Sequence, residues 1–280
     1  MNTLVSTIWL QQHLDDPDLV VLDCSVATVA HEDGSFHNES GRALYEEAHI
    51  PGAAFADLKG DLCDPDSAVE FAIPEPAAFC RAMGRLGVGD ESRVVLYDRF
   101  LSAWAARVWW MLRWVGFDQA AILDGGFSAW TREGRPVSGE LPLQEPAQLT
   151  PKTRPGLIAD KDEVMAAITD NRATLIDTLP AVYYRGEERM YARPGHIPGA
   201  INLCGTEYLD DTGHYKPDAE VGDMLELDKN KRVITYCGGG ILASINAFVM
   251  TRLGYEDVAV YTASLQEWAA DPANPMSVSS

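Results

Sequence analysis

Cys237 is the residue of this sequence whose type and surroundings most favour covalent chemistry. It follows the β-branched run RVITY and precedes three consecutive glycines, after which the apolar stretch ILASINAFVM predicts a helix. In parallel α/β sheets, ligands bind at the carboxyl ends of the strands, where such strand-to-helix turns lie. The spacing therefore predicts that Cys237 faces a ligand-binding edge of a sheet.

The residues after Cys237 are expected to stabilise a thiolate. Glycines let the backbone curl so that several N–H groups point inward, and the helix N-terminus adds the positive end of its dipole. The thiolate is the nucleophilic form of cysteine, and the same N–H groups would hold the second sulfur of a persulfide. The expected cradle comprises Gly238, Gly239, Gly240, Ile241 and Leu242.

The second half of the sequence repeats the first in four blocks that occur in the same order. HIPGAAF recurs as HIPGAIN, RVVLYD as RVITYC, LVVLDCS as TLIDTLP, and ILDGGFSAW as VYTASLQEW. Asp98 of RVVLYD stands at the position that Cys237 holds in RVITYC. Only the second half therefore carries the nucleophile.

The repeat predicts two domains of similar architecture. A chain of 280 residues is long enough for two domains that each bury a core. Short β-branched runs alternate with apolar-periodic stretches in both halves, which predicts an α/β fold with a parallel sheet covered by helices on both faces. We expect a first domain without the cysteine at 1–138, a Pro-rich linker at 139–156, and a catalytic domain at 157–280.

Composition excludes several other functions. The net charge of −20, from 42 acidic and 22 basic residues, disfavours binding to nucleic acid or to anionic membranes. No stretch approaches the roughly 20 apolar residues that span a bilayer, and the N-terminus lacks the pattern of a secretory signal, so we expect a cytoplasmic protein. The five scattered cysteines form no CxxC pair and no zinc spacing, which predicts no metal and no structural disulfide.

Together these blocks resemble the tandem rhodanese family, which includes thiosulfate and 3-mercaptopyruvate sulfurtransferases. The resemblance spans essentially the whole chain: HIPGA in both halves, LDGGFSAW closing the first, QEW closing the second, and the cysteine loop. It implies two similar α/β domains, of which the first is inactive. It also implies a persulfide on Cys237 that passes its outer sulfur to a thiol or to cyanide. We expect no cofactor.

The cysteine loop departs from the pattern of the family. CGGGIL is closer to the loop of the 3-mercaptopyruvate group than to the basic loop of the thiosulfate group. Gly239 replaces a serine of that group, Leu242 a threonine, and Phe71 a histidine that partners the serine. Of the trio formed by that serine, its histidine partner and an aspartate, only the aspartate remains, as Asp64. The identity of the sulfur donor is therefore open.

Positive charge for an anionic donor must come from other positions, because Leu179 and Tyr183 align with two arginines of the family. The segment YYRGEERMYARPG offers three arginines, of which Arg189 and Arg193 are better candidates for substrate binding than Arg185. From the first half, Asp64 and Arg99 are possible contributors.

Other nucleophiles and bases in the sequence fit structural roles better. Both halves contain a histidine in HIPGA, at His49 and His196, although only one half has the cysteine. We therefore predict that these histidines anchor the turn before Pro-Gly. Cys204 is expected to be a packing residue, with a resolving or regulatory thiol as the alternative.

The sequence thus predicts a sulfurtransferase that moves a sulfane sulfur from a small anionic donor, 3-mercaptopyruvate or thiosulfate, through Cys237. The absence of basic side chains from the loop favours a monoanion. A catalytically silent module that carries sulfur or binds a partner is the alternative. A cysteine phosphatase is disfavoured, because Ala243 stands where its loop needs an arginine.

Overall fold

The computed structural model describes residues 1–31 and 36–279 and divides the chain into two compact units. Each unit includes a short segment from the opposite half of the sequence. The first comprises Met1–Asp66, Ile73–Thr153 and Asp211–Tyr215; the second comprises Ser67–Ala72, Arg154–Asp210 and Lys216–Ser280. The division at 139–156 stays a prediction for the boundary between the domains.

The first unit contains a five-stranded parallel sheet in the order β1-β7-β6-β2-β5 and an antiparallel hairpin of β3 and β4. Its strands are β1 Leu4–Val5, β2 Leu19–Asp23, β3 Val26–Ala30, β4 Phe36–Ser40, β5 Ala54–Phe55, β6 Arg93–Tyr97 and β7 Ala120–Leu123. Its helices are α1 Thr7–His13, α2 Arg42–Glu47, α3 Pro76–Arg85, α4 Ala103–Trp114 and α5 Gly126–Arg132.

The second unit contains a parallel sheet in the corresponding order, β10-β9-β11-β12-β8. Its strands are β8 Ile158–Ala159, β9 Ala173–Asp177, β10 Ile201–Asn202, β11 Arg232–Tyr236 and β12 Val258–Tyr261. Its α-helices are α6 Lys161–Asp170, α7 Ala181–Tyr184, α8 Asp218–Met224, α9 Ile241–Arg252 and α10 Ser264–Trp268, and two 3₁₀ turns cover Pro155–Leu157 and Gly205–Tyr208.

β11 lies in the middle of its sheet, between β9 and β12, and this position explains its sequence. Val233, Ile234 and Tyr236 are completely buried, as expected for a parallel strand covered on both faces. Helix α9 follows and is buried from Ala243 to Met250. A central strand followed by a buried helix fixes the loop between them firmly, and that loop carries Cys237. The predicted α/β fold with two similar domains is confirmed.

The two units differ in the loop between the central strand and the helix that follows it. Residues 98–102 connect β6 to α4, whereas only residues 237–240 connect β11 to α9. Both loops end in a left-handed residue, Ser102 with φ 57° and Gly240 with φ 80°. The loop with the cysteine is therefore one residue shorter, and glycine relieves the strain of the left-handed conformation at its last position.

Candidate active site

The thiol of Cys237 lies at the N-terminus of α9 and accepts a hydrogen bond from the backbone. The N–H of Gly240 donates to Cys237 Sγ at 3.1 Å. The side chain is almost fully buried, with 2% of the residue exposed. A backbone N–H and a helix N-terminus both favour negative charge on sulfur. Gly240 is thus an observed donor of the predicted cradle, while the roles of the other four cradle residues stay predictions.

The turn into α10 holds the cysteine loop in place. Ser264 Oγ accepts a hydrogen bond from the N–H of Cys237 at 3.1 Å and donates to Tyr261 O at 2.6 Å. The N–H groups of Leu265 and Gln266 donate to the carbonyls of Cys237 and Gly238 at 3.1 and 2.9 Å. These hydrogen bonds tie the peptide groups of Cys237 and Gly238 to the turn that begins α10.

Asp98 in the first unit shows what the corresponding loop holds when the cysteine is absent. Asp98 Oδ1 accepts hydrogen bonds from the N–H groups of Phe100 and Ser102 at 2.7 and 3.1 Å, and Oδ2 accepts one from Ala105 at 2.8 Å. Burial raises the pKa of Asp98 to about 7, although these N–H groups favour the charged form. The carboxylate oxygens of Asp98 are bonded to the atom that corresponds to Sγ of a cysteine. The outer sulfur of a persulfide would occupy the same place, so a loop of this type has backbone N–H groups for an acceptor atom there.

Two glycines of the loop make room for side chains from elsewhere in the second unit. A Cβ on Gly238 would lie 1.4 Å from Tyr191 Oη, and a Cβ on Gly239 would lie 2.7 Å from Gln266 Nε2. Neither glycine has a positive φ, so close approach explains them better than backbone freedom. Sequence reasoning missed both neighbours. Gln266 stands in the QEW block that carries the family resemblance, whereas the sequence contains no signal for Tyr191.

Arg193 is engaged by the C-terminal segment of the second unit. Its guanidinium donates four hydrogen bonds of 2.7 to 3.1 Å, all to backbone carbonyls. The acceptors are Trp268, Ala269, Asp271 and Asn274. Since a guanidinium has five N–H donors, this arginine has little left for a substrate and serves mainly to hold the chain after α10.

The other two candidate arginines differ in their partners. Arg185 forms a bidentate pair with Glu187, with distances of 2.6 and 3.1 Å. Arg189 is exposed, and its guanidinium has no hydrogen bond or ion pair among the described residues. Tyr183 and Leu179, which replace two family arginines, are partly and fully buried. Arg189 is therefore the most available cation of this segment.

Asp64 and Arg99 belong to the first unit and make local contacts there. Asp64 Oδ1 accepts the N–H of Asp66 at 3.0 Å. Arg99 donates to the carbonyls of Leu44 and Ala48, and its guanidinium stacks 3.8 Å from the centroid of the Phe127 ring. Both possible contributions to substrate binding stay predictions.

The two HIPGA histidines have the predicted structural role. His49 Nδ1 lies 2.7 Å from Tyr45 O, and His196 Nδ1 lies 2.7 Å from Tyr184 O. Each histidine ring also stacks on the tyrosine whose carbonyl it contacts. The ring centroids are 4.2 Å apart for His49 and Tyr45 and 3.8 Å apart for His196 and Tyr184. Each backbone also forms an isolated antiparallel bridge with a residue later in the chain, His49 with Ser138 and His196 with Ser277. These contacts occur in both units and so do not depend on the cysteine.

Expectations from the sequence also concern the other cysteines and the metal-binding residue types. All five cysteines are free, and Cys204 Sγ lies 3.2 Å from Thr206 Oγ1 in a buried turn. Over residues 1–31 and 36–279, no group of three or more His, Cys, Asp or Glu side chains is arranged to hold a metal ion. Within the same ranges, no helix is long and apolar enough to cross a membrane.

Comparison with known proteins shows the family. A model of the rhodanese-like domain matches twice, at residues 6–133 and 160–271. A probable 3-mercaptopyruvate sulfurtransferase of Pseudomonas aeruginosa is 33% identical over 98% of this chain and 97% of its own length. The thiosulfate sulfurtransferase of Gallus gallus is 32% identical over 95% and 93%.

A solved structure agrees with these relatives. The crystal structure of SseA from Escherichia coli, described as a 3-mercaptopyruvate sulfotransferase, superposes with a TM-score of 0.83 at 29% identity. It covers 94% of this chain and 99% of its own. The matches extend through both units and include the loop of Cys237. The chain therefore belongs to the rhodanese family and carries two rhodanese-like domains in tandem.

Proposed function

We propose that Cys237 is the sulfur carrier of this sulfurtransferase. The observation that carries the proposal is the hydrogen bond of Gly240 N–H to Cys237 Sγ at the N-terminus of α9. Asp98, at the matching position of the first unit, cannot form a persulfide, so the second unit alone supplies the nucleophile. The sulfurtransferase names of the relatives support the same chemistry. A reducing compartment such as the cytoplasm would keep Cys237 a free thiol.

The reaction has two steps. In the first, the Cys237 thiolate attacks the donor sulfur, and an S–S bond forms while the bond that held this sulfur in the donor breaks. With 3-mercaptopyruvate the broken bond is C–S, and its electron pair leaves as the enolate of pyruvate, which then takes a proton from water. In the second step, a thiolate or cyanide attacks the outer sulfur, and the Cys237 thiolate leaves.

The donor is a monoanion such as 3-mercaptopyruvate rather than thiosulfate. The stretch from Gly238 to Leu242, in the loop and at the start of α9, contains no basic side chain, and holding two negative charges requires more compensation than holding one. We expect kcat/KM for 3-mercaptopyruvate to exceed that for thiosulfate by at least tenfold, about 1.4 kcal/mol of transition-state binding. The comparison uses one preparation with cyanide as the acceptor, and intact mass reports the sulfur gained.

Each outcome of that comparison has a definite meaning. Preference for thiosulfate would overturn the donor assignment and leave the persulfide mechanism in place. If neither donor adds the mass of one sulfur atom, the silent module is indicated instead, because a module that only binds a partner would gain no sulfur.

Arg189 binds the carboxylate of the donor in this proposal, because Arg185 and Arg193 are already engaged. Arg189→Ala is expected to raise KM for 3-mercaptopyruvate roughly tenfold while kcat changes little, since a charged hydrogen bond contributes about 1.5 kcal/mol or more. Arg185→Ala is the matched control, since its guanidinium is paired with Glu187. An equal rise in both variants would show a general charge effect and contradict the assignment.

A further inference from the structure

The cysteine loop has no polar side chain of its own, yet two polar groups lie directly against it. Tyr191 Oη occupies the space of a side chain on Gly238, and Gln266 Nε2 approaches that of a side chain on Gly239. Residues 238–242, which comprise the rest of the loop and the first two residues of α9, are three glycines, an isoleucine and a leucine. Tyr191 and Gln266 therefore bring side-chain hydrogen-bond donors to the loop from other segments of the chain.

The orientation of Gln266 is fixed by a hydrogen bond. The N–H of Glu70 donates to Gln266 Oε1 at 2.8 Å, and the backbone N–H of Gln266 donates to Gly238 O at 2.9 Å. The amide oxygen is thus used, and the NH₂ group is the end that faces Gly239. Neither this NH₂ group nor the hydroxyl of Tyr191 has a hydrogen-bond partner within the part of the chain that the structure describes.

The phenol of Tyr191 is a neutral donor. Burial raises its pKa, and negative charge on Cys237 raises it further. A tyrosine titrates near pH 10 without such effects, so the hydroxyl keeps its proton throughout the neutral range. The hydroxyl lies against Gly238, the residue that follows Cys237.

We propose that Tyr191 is a catalytic residue that donates a hydrogen bond from Oη to the carbonyl oxygen of the sulfur donor, with Gln266 Nε2 as a second donor. This inference rests on the proposed function of Cys237. When the C–S bond of 3-mercaptopyruvate breaks, its electron pair moves onto that oxygen, which becomes the enolate oxygen. A preorganised neutral donor stabilises this charge more in the transition state than in the bound donor. Tyr191 keeps its proton, and water supplies the proton that the enolate carbon takes up.

The proposal accounts for Gly238 as well. Any side chain at this position would displace the phenol, because even a Cβ would lie 1.4 Å from Oη. The backbone of Gly238 does not require glycine, since its φ is not positive. The glycine is explained by the need to keep the hydroxyl at the loop.

Tyr191→Phe tests the proposal because it removes the hydroxyl and keeps the ring. We expect the rate at which 3-mercaptopyruvate loads sulfur on Cys237 to fall roughly a hundredfold, because removing one oxyanion donor costs about 10² to 10³ in rate. The rate at which cyanide unloads the persulfide should stay unchanged, since no enolate forms in that step. Intact mass after rapid quenching follows both steps separately. Tyr255→Phe is the matched control, because Tyr255 Oη is a buried hydroxyl that bonds to Leu225 O at the far end of α9.

A second variant distinguishes loss of the Tyr191 hydroxyl from a general disturbance of packing around the loop. Gly238→Ala displaces the phenol in the wild-type background, so it should slow loading by a similar factor, and combining it with Tyr191→Phe should cause little further loss. Equal loading by Tyr191→Phe and wild type would overturn the proposal, as would an equal slowing of loading and unloading. If wild type itself gains no sulfur on Cys237, the proposed function fails, and this inference fails with it.

Discussion

Cys237→Ser is expected to abolish sulfur transfer. The serine hydroxyl can accept the same hydrogen bond from Gly240 N–H, so the loop should keep its shape. An alcohol at neutral pH is a far weaker nucleophile than a thiolate, and it cannot form a persulfide. The variant should gain no sulfur in intact mass with either donor, and its formation of thiocyanate should not exceed that of a protein-free blank. An unchanged melting temperature would show that the fold is intact.

Cys204→Ser is the matched control for that experiment. Cys204 is also a buried cysteine of the second unit, but its thiol contacts Thr206 Oγ1 at the start of a short 3₁₀ turn, whereas the thiol of Cys237 accepts Gly240 N–H at the start of α9. We expect this variant to load sulfur at nearly the wild-type rate. Retained activity in Cys237→Ser together with loss in Cys204→Ser would show that the wrong cysteine has been assigned.

The fold could be predicted because its signals are local and repeated. β-branched runs such as RVVLY and RVITY become β6 and β11, the central strands of their sheets. The repeated blocks occur in the same order in both halves, and the two sheets have corresponding strand orders. The first half has one residue more than the second between the RVVLYD and ILDGGFSAW blocks and their counterparts. The structure places this extra residue in the loop before α4, which is one residue longer than the loop before α9.

The site could be predicted only where its residues are neighbours in sequence. Cys237 and Gly240 lie in one short loop, so the contact between sulfur and N–H follows from the turn that glycines allow. Tyr191 and Gln266 reach the loop from other segments, through contacts that no periodicity or motif encodes. Their presence could be inferred only from the question of why Gly238 and Gly239 need to be glycines.

Arg193 illustrates the same limit for charged residues. Its position before HIPGA is visible in the sequence, and a substrate carboxylate is a reasonable partner for an arginine there. The structure instead surrounds it with four carbonyls at the end of α10. Carbonyl acceptors are present at every residue, so the sequence gives no indication of which guanidinium they will engage.

Asp177 connects the fold to a measurable dependence of stability on pH. It ends β9 beside Tyr236 of β11 and is completely buried. Burial raises the pKa of Asp177 to about 7, although the N–H of Leu179, 2.9 Å from Oδ1, favours the charged form. An aspartate of the unfolded chain titrates near pH 4. Between these values the folded chain binds one more proton than the unfolded chain, so the free energy of unfolding falls as pH rises from about 4 to 7 and then levels off.

Asp177→Asn should remove this contribution, because asparagine resembles the protonated carboxyl and does not titrate. Other groups affect wild type and variant alike, so the difference between their free energies of unfolding isolates Asp177. We expect this difference to change in favour of the variant by about 3 kcal/mol between pH 5 and pH 8, at 1.36 kcal/mol for each unit of pKa difference crossed. Guanidinium denaturation of both proteins across this range measures it. A difference that stays constant with pH would show that Asp177 is ionised in the folded protein at pH 5, and that its hydrogen bonds outweigh burial.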